Sequence, residues 1–184
     1  MSLLFSNDLC SAFLAEIIRV FQKKHADHYL GRTAMQKLAY FSQAVGVPIP
    51  CNFEIYNFGP YSDKVWFALQ SMIADEIIVD KSRNEKYSDY RLNTGGPGYD
   101  EKTESFVAEY RATIENVVEE LGRFEPPQLE LIATLHFIAT KIKSLRGGAP
   151  KDIVIGQFFS VKGDKFPTEE VSSWYDALKS AHLV

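Results

Sequence analysis

Apolar positions recur along this chain with a helical period, broken by one stretch of strand-like alternation. Leu9, Phe13, Ile17, Val20 and Phe21 share one face of a first helix, with Ser6 or Asn7 as its cap. The helix should fade near Lys23-Lys24-His25. Thr33 and Gln36 have the spacing of a capping box, in which each side chain satisfies an orphan donor of the first turn. Ala34, Leu38, Phe41 and Val45 then line one face of a second helix, Gly46 is a suitable terminator, and Pro48 and Pro50 prevent continuation. In "CNFEIYNF", Phe53 and Ile55 alternate with Asn52, Glu54 and Tyr56, the pattern of a short strand.

The strand runs into Tyr56–Ser62, "YNFGPYS", where three aromatics surround Gly59-Pro60. Two starts for a third helix fit. Gly59 can be the N-cap with Pro60 in the first helical position, or Ser62 can cap a helix that begins at Asp63. In either case Val65, Leu69, Met72 and Ile73 form the inner stripe. "IIVD" and "YRLN" are short strands around a polar tip, a hairpin resembling a wing. The glycines and proline of Thr94–Asp100, "TGGPGYD", mark the best domain boundary.

Beyond it, Asp100 caps a long helix with Phe106, Tyr110, Ile114, Val117 and Leu121 on one side. Pro126-Pro127 opens the next helix, which is apolar nearly all round from Leu131 to Ile142 and is expected at the centre of the second half. "RGGAP" ends it, Ile153–Phe159 is a short helix, and Lys162–Pro167 is a loop. Thr168 caps a last helix with inner residues Val171, Trp174 and Leu178. The expected fold is mainly α with a small antiparallel β-sheet (α+β). A winged-helix-like unit over 1–93 and a Gly/Pro linker over 94–100 lead to a helical unit over 101–184, packed on the first as one body.

Composition sharpens this picture. The 184 residues carry a net charge of −4, and 46% are hydrophobic, ordinary for a chain that buries a core. Lys+Arg against Asp+Glu is 10 against 10 over 1–93 and 10 against 14 over 94–184. A strongly basic balance would have pointed to nucleic acid, and it is absent. The two cysteines, Cys10 and Cys51, make neither a CxxC pair nor a disulfide framework, so a reducing, cytoplasmic setting is expected. There is no charged leader followed by an apolar segment and no run of about 18 apolar residues, so no membrane association is expected.

"RTAMQKLAYFSQAVG", "FEIYNFGPYSDKV" and "MIADEII" together carry a resemblance. They resemble the core of the Panacea (SocA-like) antitoxin domain and of the YwgA-like family of bacterial and archaeal proteins. The matching residues are Gln36, Lys37, Leu38, Tyr40, Phe41, Tyr56, Gly59, Pro60, Tyr61 and Val65, and Met35 stands where Leu is usual. The match covers the first half well and the second half loosely, where "LELIATLHFI" and "KGDKFPTEEV" look closer to the YwgA-like family. The resemblance implies a helical or winged-helix-like fold without enzymatic activity. For the Panacea side it implies neutralisation of a toxin by protein–protein contact.

Candidate residues follow from both sources. Gln36, Lys37 and Tyr40 form a polar-aromatic ridge beside the Gly59-Pro60 corner, and with Tyr56 and Tyr61 they are the expected contacts to a protein partner, possibly a toxin. The alternative is that Gln36 only closes its capping box and the tyrosines merely pack. A DNA-binding regulator would instead use Lys64 and the wing residues Lys81, Arg83 and Lys86. Acidic neighbours Asp63, Asp75 and Glu76, and the strand between the second and third helices, weigh against it. The cluster Arg19, Lys23, Lys24, Arg32 and Lys37, with His25 and His28, is a possible phosphate contact or a plain solvated face, as is the acidic face Glu109, Glu115, Glu119 and Glu120. His25 and His28 lack a third metal ligand. His136 is a core histidine or, remotely, a general base. No nucleophile elbow, phosphate-binding loop or dinucleotide fingerprint is present, and neither cofactor nor metal is expected.

Overall fold

The computed structural model describes residues 9–82, 87–93 and 100–184. Seven helices are assigned among them: α1 (Leu9–Lys24), α2 (Arg32–Ala44), α3 (Asp63–Ala74), α4 (Glu101–Leu121), α5 (Pro126–Arg146), α6 (Lys151–Lys162) and α7 (Thr168–Ser180). The strands form two separate antiparallel pairs rather than one small sheet. β1 (Glu54–Tyr56) pairs with β2 (Gly59–Tyr61), and β3 (Ile78–Asp80) pairs with β4 (Tyr90–Leu92). The mainly helical class with small antiparallel strands is thus met. No described helix is long and apolar enough to cross a membrane.

α1 and α5 are the two central helices, each with ten buried residues, and α2 buries nine in succession from Ala34 to Ser42. α1 buries ten residues, from Cys10 to Phe21, so the expected single apolar stripe is in fact most of its circumference. α1 lies against α3 and α4, and α5 is covered by α2, β2, α6 and α7. One apolar core runs through both halves of the chain, from Phe13 and Leu38 to Leu135 and Phe158. Burial of this kind contributes roughly 25 cal/mol per Å² of apolar surface, which is why the two central helices need few polar positions.

Helix ends explain most boundaries. Asp100 accepts from the Thr103 amide at 2.8 Å, as its capping role required. Glu125 and Gln128 form a reciprocal capping box ahead of α5. Gly147 ends that helix in the left-handed conformation, φ 75°. Three expectations are corrected. α2 starts at Arg32 after Gly31, so Gln36 lies too far inside the helix to cap it. Val45 is exposed at the C-terminal end of α2 instead of completing its stripe. α6 continues through Lys162, a 3₁₀ turn occupies Gly163–Lys165, and Pro167, not Thr168, precedes α7. Ser6, Asn7 and most of "TGGPGYD" lie outside the described residues.

Part of the basic cluster meets part of the acidic face. Lys24 Nζ lies 2.8 Å from Glu119, and Arg19 reaches Glu16 at 2.6 Å and Glu115 at 3.8 Å. Glu16 is buried between α1 and α4 and also accepts from Arg111 at 2.9 Å. Burial alone would raise the Glu16 carboxyl, but hydrogen bonds from Arg19 and Arg111 outweigh it and hold it below its ordinary 4.5. The wing base is tied down as well. The Tyr90 amide donates to Leu30 O, the Leu92 amide to Gln22 Oε1, and Arg91 to His28 O.

Because its folded pKa is depressed, Glu16 contributes stability that is complete above pH ~4.5 and is lost as pH falls through the lower folded value. Glu16→Gln should cost about 1–2 kcal/mol at pH 7, a modest figure because both guanidinium groups keep contact with water. Urea unfolding from pH 7 to pH 3 should show a shallower acid loss in this variant than in the native protein.

Candidate functional site

The "YNFGPYS" stretch is a tight β-hairpin that leads into α3. Tyr56 pairs with Gly59, which leaves Asn57 and Phe58 at the tip, and Ser62 is the N-cap of α3. The second of the two helix starts is therefore the right one, and Gly59-Pro60 belongs to a strand. Gly59 is required twice over. Its φ is +85°, and a Cβ there would stand 2.6 Å from Thr134 Oγ1 and 3.3 Å from Glu130 O. The hairpin thus lies directly on α5.

Gln36 and Lys37 fix it from the other side. The Gln36 amide donates to Ser62 O at 3.0 Å and accepts from the Ser62 amide at 2.9 Å. Lys37 Nζ donates to Pro60 O at 2.8 Å. Both side chains are buried, as is Tyr40, whose hydroxyl lies 2.6 Å from His136 Nδ1. Gln36 and Lys37 sit next to the corner, as the sequence suggested, but they support it from beneath and form no exposed ridge, while Tyr40 packs on Phe53, His136 and Phe137. Burial raises the Tyr40 hydroxyl, and it lowers His136 to about 4 against a weaker opposing hydrogen bond to the Leu183 backbone. Burial also lowers Lys37 to about 7, partly opposed by Glu130.

The hairpin tip is held by the C-terminal half. Lys162 Nζ donates to Asn57 O at 2.8 Å and to Glu130 Oε1 at 2.9 Å. Lys165 donates to both Glu130 oxygens, and its ammonium lies 5.2 Å from the centre of the Phe58 ring. Glu130, buried on α5, is the shared acceptor. A single acid in the apolar run "LELIATLHFI" was a legible sign of a buried ion pair, and it was missed.

The hairpin forms one wall of a cleft of about 1190 Å³. The start of α2, the α1–α2 loop, the wing base and the α4–α5 turn supply the rest. Part of its aromatic lining is exposed: Tyr29 is 75% accessible, Tyr87 70%, Phe58 58% and Tyr56 52%, while Tyr61, Trp66 and Phe124 are half-buried and Phe21 is buried. The Tyr56 and Tyr61 rings lie 5.2 Å apart. Arg32 sits over Trp66 at 5.8 Å from its ring centre. Tyr56 and Tyr61 are the two expected contacts that do reach a surface. Tyr29 and Tyr87 were overlooked although each is a lone aromatic in a polar run, a signal that was available.

The remaining candidates are dispersed. Lys64 is exposed on α3 and Lys81 at the wing, while Arg83 and Lys86 lie outside the described residues. His136 does not line the cleft. His25 stacks on His28 at 5.8 Å and contacts Val118 O at 2.9 Å, and the described residues contain no cluster of metal ligands.

Gly59→Ala should cost about 2–4 kcal/mol, from positive φ and from collision with Thr134. Adding Thr134→Ala should recover the collision and leave about 1–2 kcal/mol of backbone strain, read by denaturant unfolding. For Lys37 the folded pKa lies below the unfolded 10.5, so the unfolded chain holds the extra proton between pH 7 and 10 and stability rises with pH there. The slope should approach about 1.4 kcal/mol per pH unit between pH 7.5 and 9.5, and Lys37→Met should lack it. Neither a protein-family model nor a curated protein sequence matches this chain.

Proposed function

We propose that this chain is a non-enzymatic interaction protein whose aromatic cleft captures a protein partner. One observation carries the reading. Tyr29, Tyr56, Phe58 and Tyr87 come from three separate segments and converge, exposed, on a single cleft. Large aromatic groups left in water at one place are the usual anchors of protein interfaces, because each buries much area at little conformational cost. The cleft is larger than the 300–1,000 Å³ typical of small-molecule sites, so it suits a segment of a folded or extended partner. Its wall is rigid: Gln36, Lys37, Lys162 and Lys165 hold the hairpin that carries Tyr56 and Phe58, which lowers the ordering cost of binding. The resemblance to antitoxin domains makes a toxin a reasonable class of partner.

A second reading, DNA binding, has one supporting observation. α3, with Lys64 exposed, is followed directly by the β3–β4 hairpin with Lys81 exposed, the order of a winged helix. Phe67, 65% accessible on the outer face of α3, is an odd residue for a phosphate-facing helix and lowers this reading.

Affinity capture by the tagged native protein, with and without nuclease, separates the two. A discrete protein should survive nuclease, and Tyr56→Ala/Phe58→Ala should weaken its binding 10- to 100-fold with an unchanged circular dichroism spectrum. Equal capture by the double variant would remove the cleft from consideration. Recovery of DNA that is lost at raised salt would move the function to α3 and the wing.

A further inference from the structure

Cys10 stands in the first turn of α1, and Cys51 lies 41 positions later in the segment that leads to β1. That segment has neither helix nor strand, yet its burial alternates. Val47, Ile49, Cys51 and Phe53 point into the core, while Pro48, Pro50 and Asn52 face water. The alternation is that of an extended ribbon, and it turns the Cys51 side chain towards α1. The two sulphurs lie 3.0 Å apart with no covalent bond between them. A disulfide bond is about 2.05 Å, so closure needs a movement of only about 1 Å.

The ribbon is fastened by local bonds. Val47 donates to Ser42 O, Ile49 to Val47 O and Cys51 to Ile49 O, and the Gln43 side chain reaches Ile49 O and Cys51 O. Lifting it to admit a small molecule breaks no helical or strand ladder, so the opening is a local one. In the reduced protein no disulfide joins the ribbon to α1.

We infer that Cys10 and Cys51 form a two-electron oxidation site, which a small-molecule disulfide of the glutathione class converts to an intramolecular disulfide. The cross-link fastens the ribbon to α1 just ahead of the β1–β2 hairpin. The Cys51 thiolate attacks one sulphur of the oxidant, releases one small thiolate and leaves a mixed disulfide. The Cys10 thiolate then attacks the Cys51 sulphur and expels the second small thiolate. Two protein thiols lose two electrons and two protons, and the oxidant gains both as two thiols. These are the only cysteines in the sequence, so an intramolecular disulfide in this chain joins these two.

The full chain is incubated over a series of oxidised-to-reduced glutathione ratios, quenched in acid, unfolded and alkylated with a maleimide. Both alkylation sites should disappear together in a monomer, and a peptide map should join the two cysteines. The oxidised form should gain at least about 5 °C in Tm and show slower amide exchange over 47–53. Two alkylatable thiols at ratios that oxidise a thioredoxin-type dithiol would overturn the proposal, as would mixed disulfides or dimers as the only products. A cross-link that changes neither Tm nor exchange would overturn its fastening role. Cys10→Ser and Cys51→Ser, each checked for folding, should keep the remaining thiol from entering an intramolecular bond.

Discussion

The structure turns on two neighbouring polar side chains that are wholly inside it. Gln36 and Lys37 meet the backbone of Pro60 and Ser62 from beneath the hairpin. β2 is three residues long and pairs only with β1, so its outer edge enters the core with carbonyls and an amide to satisfy. A buried backbone group left without a partner costs about 1–3 kcal/mol, more than a small protein can lose several times over. Gln36 is suited to the task because one amide presents both a donor and an acceptor, one to the C=O and the other to the N–H of the same residue. The position of the hairpin follows, and so do the direction of Tyr56 and Phe58 and the start of α3.

Charge is used in the same inward manner. Arg19 and Lys24 of α1, which looked like part of a separate solvent face, meet Glu115 and Glu119 of α4, and Arg111 of α4 meets Glu16 of α1 across the same interface. Glu130 does this more tightly, gathering Lys162 and Lys165 beneath the hairpin tip. A buried carboxylate with cations and a backbone carbonyl around it fixes geometry more than it adds net stability. The outward-facing lining of the cleft joins the aromatics Tyr29, Tyr56, Phe58 and Tyr87 with the polar Asp27, His28, Arg32, Asn57 and Glu125.

Helix positions were legible because apolar spacing and terminal residues agree: Asp100 before α4, Pro126 at the start of α5 and Gly147 at its end. The neighbourhood of Gln36 and Lys37 with the Gly59-Pro60 corner was legible too, but not its inside-out arrangement. Thr33 and Gln36 satisfy the local pattern of a cap, and only the long-range demand of the Ser62 backbone decides otherwise. Likewise the approach of Gly59 to Thr134 involves residues far apart in sequence, so neither shows it alone. Cys10 and Cys51 belong to the same class, since no motif spacing announces a contact made by an extended ribbon.

The contact between Lys162 and the tip of the hairpin joins residues 105 positions apart. Contacts of such long range form late, after local helices have condensed, because closing so long a loop is entropically costly. On a chain emerging from the ribosome, Tyr56 and Phe58 appear after Gln36 and Lys37 but well before Glu130, Lys162 and Lys165. The hairpin tip is therefore completed late. Until then its aromatic groups are displayed on a hairpin with only part of its support, which makes the interval before Lys162 emerges the period of greatest exposure to misassociation.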